Sequence, residues 1–112
     1  MREPDPSQLP EVSVLTTTVA HAEDARRLAR EAVRGRLAAC VQVEQITSHY
    51  IWQAEQCEDA EWRLVFKTLP LHAPALMAWL ASAHPYELPQ MLLREERSSR
   101  GYAAWVEERL AG

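Results

Sequence analysis

The chain has 112 residues, 47% of them hydrophobic and 25% charged, with 12 basic and 16 acidic side chains and a net charge of -4. That length makes one domain able to bury a core without disulfides or a structural metal. The acidic balance excludes the basic surface that a phosphate backbone requires, so nucleic acid is not an expected partner. No run approaches the roughly 18 apolar residues of a membrane span, and residues 1–10 have no apolar stretch like that of a signal peptide. Cys40 and Cys57 lack CxxC spacing and are too few for a secreted disulfide scaffold, so a soluble protein of the reducing cytoplasm is expected.

Residues 1–10 carry prolines at 4, 6 and 10 and little to bury, which predicts a loose arm ahead of a single domain over 11–112. Glu11 to Thr18 is rich in β-branched residues and reads as a first strand. A helix follows, with Ala25, Leu28, Ala29, Ala32 and Val33 at helical spacing, Glu23 and Asp24 at its positive end and Arg34 and Gly35 at the other.

From Ala38 to Gln53 the chain runs without glycine or proline and reads as one very long strand. At about 3.3 Å per residue it spans roughly 50 Å, far beyond the ~13 Å radius of gyration of a compact domain this size. Val41 and Val43 sit at odd positions, Ile46, Tyr50 and Trp52 at even ones, so the apolar face switches sides along the strand. The switch predicts a bulge between Val43 and Ile46, with Ala38 to Val43 in the subunit's own sheet and Ile46 to Trp52 packed on a neighbour; two ordinary strands joined at Gln45 are the alternative.

Gln53 to Ala60 reads as a polar turn, and Glu61 to Thr68 as a returning strand with Trp62, Leu64 and Phe66 on one face and Val65 on the other. Leu76, Trp79, Leu80 and Ala83 mark a second helix with Pro74 in its first turn and Pro85 as its stop. Leu88 to Glu96 is expected as a fourth strand. Ser98 or Ser99 can cap a last helix lined by Tyr102, Trp105, Val106 and Leu110. The order βαββαβ plus a helix predicts an α+β, ferredoxin-like split βαβ sandwich with an antiparallel sheet. Both sheet edges and one face then lack cover, which points to self-association.

Chemical signatures are sparse. Three glycines cannot build a nucleotide loop, and none of the six serines stands in a GxSxG turn. The RNA-recognition module shares this element order, but its aromatic and basic third-strand pattern is missing from Ala60 to Thr68. His21, His49, His72 and His84 show no metal-ligand spacing, Cys40 reads as a small core residue, and acidic neighbours disfavour the Cys57 thiolate. The densest candidate is His84-Pro85-Tyr86-Glu87-Leu88-Pro89, where two prolines stiffen a loop bearing an imidazole, a phenol and a carboxylate. A first strand ending in Thr16, Thr17 and Thr18, together with Lys67, is expected near that loop. Thr16, Lys67, Tyr86 and Glu87 are therefore candidate ligand-cleft residues. Trp79 and Trp62 are assigned to the core, whereas Ile46, Tyr50 and Trp52 on the long strand and Tyr102 and Trp105 on the last helix are candidate interface residues.

Val14-Leu15-Thr16-Thr17, Arg36-Leu37-Ala38-Ala39-Cys40-Val41, Tyr50-Ile51-Trp52, Glu61 to Thr68, the His84 to Pro89 hexapeptide and Tyr102-Ala103-Ala104-Trp105 together resemble the CutA divalent-ion tolerance family over about residues 12 to 110. The resemblance implies a tight homotrimer of ferredoxin-like subunits, akin in architecture to the PII signalling proteins, with no catalytic residues. It also implies a role in tolerance or binding of a divalent cation such as copper. In members proposed to hold copper, a cysteine at the end of the first strand joins histidine just before the Pro-Tyr. Those positions here are Thr16, Ala83 and His84, so only His84 carries over as a metal ligand. The reading that results is a non-enzymatic cytoplasmic homotrimer holding a small ligand or ion at subunit boundaries. Its alternatives are direct copper chelation through His84 and a small ferredoxin-like enzyme using His84 and Glu87 as acid and base.

Overall fold

The computed structural model describes residues 5–112. Strands β1 (Glu11–Val19), β2 (Cys40–Trp52), β3 (Glu55–Thr68) and β4 (Leu92–Arg97) form one sheet, and helices α1 (Ala22–Arg34), α2 (Ala73–Ala83) and α3 (Arg100–Leu110) complete the chain. The sheet order is β2-β3-β1-β4 with every neighbouring pair antiparallel. This is the expected split βαβ arrangement, with β2 at one edge and β4 at the other.

Side-chain alternation sorts the sheet into two faces. Leu15, Val19, Leu64 and Phe66 point to one, where Ala25, Leu28 and Ala32 of α1 and Leu76 and Leu80 of α2 pack on them. Trp62 and Trp79 lie against this core as expected, Trp79 edge-on to Phe66 at 6.4 Å. Val33 does not join it and is 45% exposed, because at 100° per residue it lies about a quarter-turn from the centre of the Ala25–Leu28–Ala32 stripe. On the other face α3 covers one end: Ala103, Val106 and Leu110 pack on Val12 and Ala39. Tyr102 and Trp105, the candidate interface residues of this helix, stack on each other outside that stripe, with ring centroids 5.7 Å apart. Ser99 is the residue that caps α3, its hydroxyl accepting from the Tyr102 N–H at 3.3 Å.

The long strand differs from expectation in its continuity. Its register with β3 is unbroken from Cys40↔Lys67 to Trp52↔Glu55, so there is no bulge between Val43 and Ile46. The segment Ile46 to Trp52 continues the same ladder, pairing with Glu61 to Glu55 of β3. The phase switch has another cause. Near its start the strand is covered on the helical face, where Val41 lies opposite Phe66, and beyond Gln45 no helix remains on that side, so the apolar residues move to the open face. Residues 55–60, expected as a turn, are strand. The reversal takes only Gln53 and Ala54, both at positive φ (50° and 66°), as a two-residue hairpin of right-handed twist requires. The hairpin projects far enough to give a long axis of 55 Å and a radius of gyration of 15.8 Å.

Two boundaries also move. β4 begins at Leu92, not Leu88, since Pro89 has no N–H for a ladder and the Gln90 carbonyl accepts from the Thr17 hydroxyl at 2.6 Å. Of the expected loose arm, residues 1–4 lie outside the described residues. Residues 5–10 are held: Asp5 caps a 3-10 turn over Pro6–Gln8, Arg97 donates to the Leu9 carbonyl at 3.0 Å, and the Ser98 N–H donates to the Pro10 carbonyl at 2.9 Å.

Candidate functional site

Pro85 ends α2 and leaves residues 84–91 as a loop laid across the end of β1. Its first residue anchors it. The Leu80 carbonyl accepts from the His84 backbone N–H at 2.9 Å, and the residue, only 8% exposed, packs against the end of β1. Nδ1 accepts the Tyr86 N–H at 3.0 Å. Nε2 therefore carries the proton, and it donates toward the Thr18 carbonyl at 3.0 Å and the Thr17 hydroxyl oxygen at 2.9 Å. The Thr17 hydroxyl passes its own proton to Gln90 at the far end of the loop. Burial holds the imidazole below its ordinary pKa of 6.5, opposed by the hydrogen bond to the Thr18 carbonyl. Asp24, Arg27 and Glu61 are the charged groups that it senses.

That geometry bears on the expected metal. A metal needs a free imidazole lone pair, and here one ring nitrogen accepts a main-chain proton and the other is protonated. Thr16 points to the opposite side of the sheet from Thr17, so the residue at the family's cysteine position does not face His84. Ala83 offers only a methyl group, packed on the core. Among the described residues, no three His, Cys, Asp or Glu side chains converge as a cation site. The donor set around His84 does not fit a divalent cation; the histidine is a loop anchor.

The anchored loop and the β2–β3 hairpin enclose a cleft lined by Thr18, Ser48, His49, Tyr50, Trp52, Glu61, Pro85, Tyr86, Glu87, Leu88 and Gln90. Tyr86 donates its hydroxyl proton to Glu61 at 2.7 Å and lies against the His84 ring at 5.0 Å between centroids. Burial, reinforced by the Glu61 carboxylate, pushes the phenol well above its ordinary value. Tyr50 hydrogen-bonds Asp59, which pushes that exposed phenol up to about 12. His49 sits 3.6 Å from Glu58 on the outer hairpin.

Of the four expected cleft residues, the structure brings only Tyr86 and Glu87 together. Thr16 lies in an adjoining hollow on the open sheet face, sharing Thr18, Ser48 and Gln90 with the cleft and lined also by Ile46, Arg63, Val65, Leu92 and Arg94, where Arg63 pairs with Glu44 at 2.8 Å. Lys67 is two residues farther along β3 from Val65, its ammonium 6.0 Å from the centre of the Tyr102 ring. The loop reaches Thr17 and Thr18 because it crosses the far end of β1, away from Lys67. Sequence reading missed Glu61 and Gln90. Nothing local marks Glu61 as the partner of Tyr86, since their meeting depends on sheet order. The expected interface residues Tyr50 and Trp52 are 42% and 55% exposed in the isolated chain, and Ile46 is half-buried on the same open face.

The comparisons with known proteins agree with this fold. The chain is 39% identical over 97 residues to the divalent-cation tolerance protein CutA of Thermus thermophilus, an alignment covering 85% of this chain and 94% of that one. It is 37% identical over 99 residues to mouse protein CutA, covering 87% of this chain but 56% of the longer mouse protein. Among solved structures, CutA from Synechococcus elongatus superposes with a TM-score of 0.87 at 38% identity, over 90% of this chain and 91% of that one. The model of the family described as CutA1 divalent ion tolerance protein matches residues 13–109. By sequence and by fold alike, this chain belongs to the CutA1 divalent ion tolerance protein family.

Proposed function

We propose that this chain works as a non-enzymatic cytoplasmic homotrimer in divalent-cation tolerance, copper included, and that it holds a small ligand in the cleft between the hairpin and the His84 loop, at subunit boundaries. One observation carries the assembly. A hairpin that projects from the core presents Tyr50 and Trp52 on its open side, and Tyr102 and Trp105 form a second exposed aromatic pair on α3. Exposed aromatic surface beside an unpaired sheet edge is the usual mark of a protein contact. The free thiols of Cys40 and Cys57 suit a reducing compartment. Ligand binding draws support from a relative: a CutA structure from Synechococcus elongatus, 37% identical to this chain, is complexed with a Bis-Tris molecule.

With both His84 nitrogens engaged, the link to metal tolerance runs through the ligand cleft or the assembly and not through chelation at His84. Sedimentation at micromolar concentration tests the assembly: a single species of trimer mass is expected, and a monomer would sink the reading.

A further inference from the structure

The cleft has a chemical bias. Three aromatic side chains, Tyr50, Trp52 and Tyr86, stand around it, and Glu61 and Glu87 line it with Asp59 directly behind Tyr50. No lysine or arginine is among its lining residues. The Asp59 hydrogen bond at Tyr50 and burial at Tyr86 are the main reasons these phenols are raised, and the carboxylates of Glu61 and Asp59 add to the effect at both. An anionic ligand would enter against the field of these carboxylates.

A compact metal ion fits poorly too. Such an ion needs several free oxygens converging at about 2.0–2.6 Å, yet Tyr86 caps Glu61 and Tyr50 caps Asp59. A larger cation whose charge is spread over alkyl groups has no such requirement. It draws on the aromatic faces and the surrounding carboxylates at longer range, and the prolines at 85 and 89 hold the loop that bears Tyr86 and Glu87 in place before it arrives.

We infer that the ligand of this cleft is an organic cation of the substituted-ammonium class, held between Trp52, Tyr50 and Tyr86 and balanced by Glu87 and Glu61. The inference rests on the reading of the cleft as a ligand site and names the chemistry of what it takes.

The test is a titration of the full chain followed by NMR at constant ionic strength. The probes are tetramethylammonium, its neutral counterpart of similar size tert-butyl alcohol, inorganic phosphate, and Zn²⁺ as a compact divalent ion. Tetramethylammonium should give saturable shifts at the Trp52 indole N–H and the Leu88 methyls, with tert-butyl alcohol weaker by roughly three- to thirtyfold. Glu87→Gln, an exposed position whose change spares the core, should weaken tetramethylammonium severalfold and leave the alcohol unchanged. Trp52→Leu should weaken it at least as much, with the oligomeric state measured on the same sample. Equal or tighter binding of the alcohol, phosphate or Zn²⁺ at these resonances overturns the cation assignment while leaving the cleft a ligand site. If none of the four probes gives saturable shifts there, the ligand-site reading falls with it.

Discussion

Replacing His84 with alanine separates an anchoring histidine from a metal ligand. The substitution removes the acceptor for the Tyr86 N–H and the donor to the Thr18 carbonyl, at 3.0 Å each, and the ring contact with Tyr86. Each hydrogen bond contributes about 1 kcal/mol net, and a buried partner left unsatisfied costs about 1–3 kcal/mol. With some packing loss, the expected destabilisation is about 2–4 kcal/mol, a fall in Tm on the order of 10 °C. The parent should also carry a pH signature that the variant lacks. The folded pKa of His84 lies below its unfolded value of 6.5. Below about pH 6.5 the unfolded chain thus binds more protons than the folded one, and stability falls on acidification by up to about 1.4 kcal/mol per pH unit until the folded pKa is passed. Urea denaturation of parent and variant between pH 8 and pH 5 measures both effects, and the stability gap should narrow as pH falls. Calorimetric titration with Cu²⁺ at pH 7.5 should give the same affinity for both proteins. A variant as stable as the parent at pH 8 that has lost copper affinity would refute the anchoring argument and restore His84 as a ligand.

Trp52→Glu places a charge on the exposed aromatic end of the hairpin and should shift the sedimentation profile toward smaller species, leaving the far-ultraviolet circular dichroism of the subunit intact; an unaltered profile places the interface elsewhere. Gln53→Asn combined with Ala54→Gly relieves two positive-φ residues, each strained by about 1 kcal/mol, in part offset by the extra unfolded-state freedom of glycine. Amide exchange in residues 48–59 should slow by up to about tenfold; no change would show that the turn carries no strain. Phe66→Ala empties a fully buried position beneath Trp79 and should cost about 3–5 kcal/mol in chemical denaturation, whereas Val33→Ala on the exposed flank of α1 should cost under about 1 kcal/mol.

The element order, the identity of the core face and the family resemblance were all legible in the sequence because they rest on local patterns. Leu28 and Ala32 recur at helical spacing, Leu64 and Phe66 alternate, and prolines at 74 and 85 bracket a helix. The turn at Gln53-Ala54 was not legible, because neither residue is the asparagine or glycine that positive φ favours, and residues 55–60 lack the composition of a strand. They pair because β2 already offers a complete row of partners.

The amino-acid sequence by itself determined that one face of each element would be buried, and that the hexapeptide from His84 to Pro89 would be a stiff, chemically dense loop. Only the tertiary structure decided what that loop does. Sheet order places Thr17 and Thr18 under the imidazole and Glu61 beside Tyr86. Alternation along β1 puts Thr16 on the opposite face from Thr17, and sheet order leaves Lys67 beside Tyr102. Whether a histidine ligates or anchors depends on which groups occupy its two nitrogens. Those groups lie up to 67 residues away along the chain, a separation that no local pattern records.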